Sequence, residues 1–517
     1  MNFADYVDHA ARNHPDRAAI RFGDRELTYD ELVSQAASLG DSLAERGFES
    51  GDVLAIYAPN SPQLVVTVLA CLKRGVNHLP LNLRFERDEL AYVLEDAGAR
   101  GIVATDTFAD GAVSLLETVD SLETAVVTDD REGAERFDAL VAAGDPADRN
   151  YAAKGDEVAG IMYTSGTTGK PKGVKHTHRN YIGNAMGFVE MYELSGETNT
   201  VTVAPCFHVA GLNITVTPTL VAGGTAALLP EWDPEAYLEA CEAVDAHYSF
   251  IVPTMLMDLL HFENADEYDL SHMEAMIVGS APVPEHAIGD FEEQFGVTIT
   301  EGYGMTETTP LAVLNRPEAK KDGTIGQAYE RLVDVTITDP QSREELPPGE
   351  VGEITVRGET VTPGYHDLPA VNEEQFGDVR SRTGDDEGAS SGEWLYTGDL
   401  GWVGEDGYFR IEDRVDDMII TGGENVYPAE VEEVVSTHPD VRSVAVIGTD
   451  HERYGEAVTA IIVPSADDLE AEAIVDHCRD SDALANYKRP RRVEFVEGLP
   501  MTETRKIDKV SLRDRFD

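Results

Sequence analysis

Capped helices alternating with short apolar runs set the tightest limit on what this chain can fold into. Thr28 and Glu31 stand at capping-box spacing, Leu32, Leu39 and Leu43 then mark one helical face, and Gly47 supplies the stop. Residues 53–57 follow as an uninterrupted apolar run, the pattern of a buried strand, and Pro62 opens a second helix that ends near Gly75. The same alternation continues, which predicts an α/β architecture with largely parallel sheets. At 517 residues with 42% apolar content, the chain can bury a large core but is too long for a single one.

Two stretches have the character of boundaries. Residues 377–392 (GDVRSRTGDDEGASSG) are polar and rich in Gly, Ser and Asp, as expected of an exposed loop. The second boundary lies near Arg414-Val415-Asp416. It separates a large N-terminal domain, 1–415, from a small α+β domain, 416–517, in which residues 428–438 predict a helix and 443–448 and 457–463 predict strands.

Charge narrows the partners. With 40 Lys plus Arg against 97 Asp plus Glu, the formal net charge is -57. Such a surface repels nucleic acid and anionic membrane, both of which need clustered cations. The acids are scattered in short runs such as Asp129-Asp130 and Asp385-Asp386-Glu387, the pattern of a solvated shell. No CxxC or Cys/His cluster joins Cys71, Cys206, Cys241 and Cys478, so neither a disulfide framework nor a zinc site is expected. The N-terminal stretch lacks the pattern of a signal peptide, and the longest apolar runs, such as residues 64–72, are too short to span a bilayer. A soluble cytoplasmic protein is expected, its oligomeric state open, a homodimer included.

Chemistry concentrates in Tyr163-Thr164-Ser165-Gly166-Thr167-Thr168-Gly169-Lys170-Pro171-Lys172-Gly173-Val174, which follows the apolar run 158–162. Glycines let backbone N–H groups approach phosphate oxygens, hydroxyls donate further hydrogen bonds, and lysines offset charge. A Walker loop requires Gly, four residues, then Gly-Lys-Ser/Thr. Here Thr164 occupies the first position and Pro171 follows the lysine, so this is a different polyphosphate loop.

That segment resembles the signature loop of the adenylate-forming (AMP-binding) superfamily, which includes acyl-CoA synthetases, firefly-type luciferases and peptide-synthetase adenylation domains. The likeness runs from the Thr28-Tyr29-Asp30-Glu31-Leu32 helix start to the final lysine motif. Gly302-Tyr303-Gly304-Met305-Thr306-Glu307 is similar to the family's second core motif. By that likeness Tyr303 stacks on adenine, Thr306 contacts the reacting phosphate or carboxylate, and Glu307 helps hold Mg²⁺. Gly279-Ser280-Ala281-Pro282 resembles the adenine-contacting loop, and Phe207-His208 resembles the aromatic-His pair bordering the carboxylate channel. Tyr396-Thr397-Gly398-Asp399 looks like the ribose motif, with Arg414 as its companion and Asp416 at the hinge position. Gly422-Gly423-Glu424-Asn425 resembles the loop lining the pantetheine tunnel of CoA ligases. Lys506, in Pro500-Met501-Thr502-Glu503-Thr504-Arg505-Lys506-Ile507, matches the catalytic lysine, although Arg505 stands where many members have glycine.

The resemblance implies an ATP-dependent acyl-CoA synthetase using ATP, Mg²⁺, coenzyme A and a small carboxylic acid, with fatty acid metabolism as one setting. It also implies a small domain that rotates between adenylation and thioester formation. An adenylate-forming enzyme serving a carrier protein or another acceptor is the alternative, and a non-catalytic nucleotide-binding protein a further one. The acid itself is not readable, though residues 208–212, 279–282 and 302–311 are expected to wall its pocket.

Self-repulsion at a net charge of -57 should be relieved when molar salt shortens the Debye length to about 3 Å. The melting temperature and activity should therefore rise steeply between dilute buffer and molar KCl, as a halophilic protein's would. Equal melting temperatures in the two would defeat that expectation.

Overall fold

The computed structural model describes residues 1–147, 153–164, 170–281, 283, 285–380, 392–422, 424–451, 453–466, 469–481, 484–501 and 507–516. These group into two compact units. The larger takes Met1–Val335, Val356–Gly377 and residues 392–395; the smaller takes Thr336–Thr355, residues 378–380 and Tyr396–Asp517.

Local signals become local structure in the larger unit. The Thr28 hydroxyl accepts from the Glu31 amide at 3.2 Å, and the Glu31 carboxylate accepts from the Thr28 amide at 2.9 Å, closing the capping box of helix Tyr29–Glu45. Leu32, Leu39 and Leu43 are fully buried along its inner face. Helix Pro62–Arg74 starts from Ser61, whose hydroxyl accepts from Leu64, and stops at Gly75, which takes the left-handed conformation at φ 73°.

Two sheets organise this unit. The first has seven strands in the order Glu135–Arg136, Thr124–Val127, Ala99–Ala104, Val53–Tyr57, Asn77–Pro80, Val158–Thr164 and Lys172–Thr177. Its pairs are parallel up to the last, where Val158–Thr164 and Lys172–Thr177 run antiparallel. The second has nine strands. Its parallel centre runs Thr298–Tyr303, Ala275–Gly279, Tyr248–Ile251, Asn199–Thr202, Thr225–Leu228 and Ala18–Phe22, with antiparallel strands at both edges. Central strands covered on both faces read as apolar runs, and all five residues of Val53–Tyr57 and of Ala275–Gly279 are buried.

The smaller unit carries an antiparallel hairpin, Val441–His451 with Gly455–Pro464, and the second of these strands also pairs with Arg492–Phe495 and, at Gly455, with Ile419–Thr421, which in turn pairs with Glu424–Val426. Period-two alternation divides its core. Val444 and Val446 pack with Val431, Val435 and Ile474 of helices Pro428–Ser436 and Ala471–Asp480, while Ala445 and Ile447 pack with Leu512 of helix Lys509–Phe516. The expected α/β fold with a small C-terminal α+β part is what the chain forms. Among the described residues no helix is long and apolar enough to cross a membrane.

One ion pair lies deep in the larger unit. The Lys73 ammonium meets Asp8 at 2.5 Å with both side chains no more than 3% exposed. Removing one partner strands the other charge, which costs about 3–5 kcal/mol. Lys73→Met should therefore lower the melting temperature far more than Arg136→Met, whose partners Asp130 and Asp138 are solvent-exposed. Comparable melting shifts in the two variants would contradict this.

Candidate functional site

Parallel strands deliver their carboxyl ends to a common edge, where α/β proteins place ligands. In the nine-stranded sheet that edge holds Gly279 and Tyr303, the last residues of neighbouring strands, with Gly279 paired to Gly302. They border a cavity walled by Phe188, Ala210, Ile214, Phe250, Leu311 and Leu314, with Ser280 and Gly304 at its rim. Small residues keep it open. A Cβ on Gly302 would sit 2.6 Å from Leu314, and one on Gly304 would sit 1.4 Å from the Pro310 carbonyl oxygen. Ser280 is held at φ 71°, a conformation costing about 1–3 kcal/mol away from glycine, of the kind that gathers at binding sites. Ala281 beside it is exposed.

Thr306 and Glu307 follow in the turn after Tyr303. Glu307 is 5% exposed, and its carboxylate accepts from the Tyr365 hydroxyl at 2.7 Å. The carbonyl of Thr306 accepts from the His176 imidazole at 2.7 Å. Burial lowers the His176 pKa to about 4, so the ring is neutral and carries its proton on the nitrogen facing Thr306. His176 lies on strand Lys172–Thr177, beyond the signature loop. Thus the loop's return strand is bonded directly to the second motif.

Of the loop itself, Thr164, Lys170 and Lys172 are described; Ser165, Gly166, Thr167, Thr168 and Gly169 lie outside the described residues. Thr164 ends strand Val158–Thr164 and pairs with Lys172. The Lys170 ammonium stands 4.5 Å from the centre of the Tyr92 ring and that of Lys172 5.6 Å from the Tyr365 ring. Tyr163 donates to Asp96 at 2.6 Å, and burial first, then Asp96, pushes its pKa far up, so the phenol stays a donor. His208 is half-buried beside Phe207, ring centres 4.6 Å apart, at the start of a helix whose Gly211–Val216 turns are π-helical, a local widening common at functional sites.

The smaller unit holds its own constellation. Asp399 and Arg414 are cross-strand partners in the pairing of Trp394–Val403 with Phe409–Arg414, and their side chains meet at 2.8 Å. Gly398, at φ 73°, points its N–H at the Glu353 carboxylate 2.8 Å away. Burial raises the Glu353 pKa, opposed by that N–H, with Asp399 and Asp416 adding to the rise. Asp416 follows directly after this strand, and Gly422 adopts φ 66° in the turn after Ile419–Thr421. Pro282, Gly423 and Lys506 lie outside the described residues. Sequence reasoning passed over His176, Tyr365 and Glu353. His176 is two residues past the signature loop, and the turn residues Pro363 and Gly364 before Tyr365 were the only signal there.

The larger unit thus offers a buried acid tied to the strand that carries Lys172, and an apolar cavity at the strand ends that precede that acid. Residues 7–366 match the family described as AMP-binding enzyme, and residues 430–506 the AMP-binding enzyme C-terminal domain. A feruloyl-CoA synthase of an Amycolatopsis species is 36% identical over 509 residues, which is 98% of this chain and 97% of that protein. An indoleacetate–CoA ligase of Aromatoleum aromaticum is 31% identical over 99% of this chain and 98% of its own. Among solved structures, ATP-bound MatB of Rhodopseudomonas palustris matches with a TM-score of 0.88 at 30% identity, over 100% of this chain and 99% of that one.

The 1.4 Å approach at Gly304 makes a specific demand. Gly304→Ala has to push the 304–310 turn open, displacing Thr306 and Glu307. Pyrophosphate release should fall by at least about 100-fold, since misplacement on the order of 1 Å costs that much. Near-normal turnover in this variant would show the turn to be freely adjustable.

Proposed function

This chain belongs to the AMP-binding enzymes and is an acid–thiol ligase, turning an acid and ATP into acyl-AMP and then acyl-CoA, and from that premise we propose an apolar, ring-bearing carboxylic acid as its substrate. The observation that carries this is the cavity lining. Phe188, Ile214, Phe250, Leu311 and Leu314 offer apolar contact, and none of the described lining residues is basic, so a second substrate carboxylate would be buried unpaired. Names of the relatives point the same way, to feruloyl and indoleacetate.

The proposed division of labour follows from charge. In the first step a carboxylate oxygen bonds to the α-phosphorus of ATP as the bond to pyrophosphate breaks. The catalytic need is positioning and charge stabilisation. Thr164 to Lys172 cradle the β- and γ-phosphates, Thr306 contacts the reacting groups, Tyr303 and residues 279–282 hold adenine, Asp399 and Arg414 serve the ribose, and His208 borders the carboxylate channel. Lys506 stabilises the α-phosphate. In the second step the CoA sulfur bonds to the carbonyl carbon, losing its proton, and AMP leaves; Gly422 and Gly423 line the thiol's approach. Asp416 is the proposed pivot between the steps.

Magnesium fits these residues in one way. No group of three or more His, Cys, Asp or Glu side chains suited to a metal occurs among the described residues. A lone buried carboxylate suits Mg²⁺, which keeps its waters and rides on substrate phosphates. Glu307 would hold it, and when bound the ion supplies neutralisation of phosphate charge. A salt-rich cytoplasm is the proposed setting, on the strength of the -57 charge.

Pyrophosphate release across a panel of acids tests the substrate. Cinnamates, benzoate and indoleacetate should exceed acetate and 2-succinylbenzoate by about 10-fold or more in kcat/KM, with medium-chain fatty acids between. Preference for acetate or a dicarboxylate would overturn the proposal. In the same assays Lys506→Ala should slow adenylation by roughly 10²–10³ while thioester formation from pre-made acyl-adenylate stays within a few-fold. Equal losses in both steps would mean that the lysine serves both.

A further inference from the structure

Residues 362–366 run as a strap along the return strand of the signature loop. The Lys175 amide donates to the Gly364 carbonyl at 3.2 Å, the His366 amide to the Gly173 carbonyl at 2.7 Å, and the Thr362 hydroxyl to the Lys175 carbonyl at 2.5 Å. Val174 and Tyr365 form a bridge pair. The same strap grips the second motif, because the Thr362 amide donates to the Glu307 carbonyl at 2.8 Å and the Tyr365 hydroxyl to Glu307 Oε1 at 2.7 Å.

Tyr365 is 4% exposed and is fixed from behind. Its amide donates to Asn372 Oδ1 at 2.7 Å and its carbonyl accepts from Asn372 Nδ2 at 3.1 Å. The ring faces the Lys172 ammonium, so a phosphate-loop lysine and the buried acid meet opposite parts of one side chain. A carboxylate offers about four acceptor positions, and the phenol bond fixes the direction of one Glu307 oxygen.

We propose that Tyr365 is a positioning residue for the metal-binding carboxylate: its hydroxyl locks the Glu307 rotamer to the frame of the phosphate loop. This rests on the reading of Glu307 as the Mg²⁺-holding acid. Outer partners that orient ligating carboxylates typically alter metal affinity about 10–100-fold when removed. The packing of the ring does not depend on the hydroxyl, so the two contributions separate.

The test is calorimetric titration of ATP, without acid substrate, in EDTA and across a MgCl₂ series. In Tyr365→Phe the Mg²⁺-dependent gain in ATP affinity should shrink by about 10-fold or more, with metal-free ATP affinity and melting temperature nearly unchanged. Glu307→Gln should abolish the gain, and Tyr365→Phe added to it should change nothing further. A wild-type Mg²⁺ response in Tyr365→Phe beside a lost one in Glu307→Gln overturns the positioning role. A wild-type response in Glu307→Gln instead overturns the metal reading of Glu307 itself. Should Tyr365→Phe not fold, Glu307→Asp keeps the charge but falls one methylene short of the phenol; a wild-type response there overturns the proposal equally.

Discussion

The hydrogen bonds that lay residues 362–366 against strand Lys172–Thr177 tie together elements that nothing else in the local sequence connects. Each is worth only about 0.5–1.5 kcal/mol net. Their effect is geometric. The strand is the edge of the seven-stranded sheet, Glu307 follows a strand of the nine-stranded sheet, and the strap is bonded to both. His176 adds a second tie from the same strand to the Thr306 carbonyl. Being neutral, it makes this bond without placing another charge in the interior. Two independent ties at adjacent residues thus hold Thr306 and Glu307 to one strand and its strap.

Charge shows the same economy at larger scale. The chain holds 97 acidic residues, yet the buried ones named here each have a specific donor or cation: Tyr365 for Glu307, the Gly398 amide for Glu353, Lys73 for Asp8. Asp413, whose pKa burial raises, accepts from the Ala429 and Arg414 amides. The other acids among the described residues are half-buried or exposed, and water and salt screen the exposed ones. Against that background Lys170 and Lys172 stand out as cations beside aromatic faces.

Sequence reasoning reached what neighbouring residues decide. The box of Thr28 with Glu31, the Pro62 start and Gly75 stop, and the strands over 443–448 and 457–463 are all set by bonds or periodicity within a few positions. The helix expected over 428–438 closes at Ser436, a fraying of one half-turn. At Gly304 the structure gives a reason for the residue, because a Cβ there would strike the Pro310 carbonyl. Partnerships across the chain were not readable. Tyr365 and Glu307 are 58 residues apart, and Glu353 and Gly398 45 apart, and no local pattern announces either pair.

The cavity is harder to read for the same reason carried further. The cavity takes Phe188 from helix His178–Met191, Ile214 from the π-helical turns, Phe250 from a central strand and Leu314 from the antiparallel strand Val313–Leu314. In sequence each is an ordinary apolar residue at an ordinary core position, and only the tertiary fold turns its side chain into a wall. The glycines behave oppositely. Gly302, the first residue of the second motif, leaves room that Leu314 already crowds, so an added methyl there would meet the Leu314 side chain at 2.6 Å. The size of this cavity is thus set by apolar side chains and glycines, while Glu307 is held by its bonds to the strap.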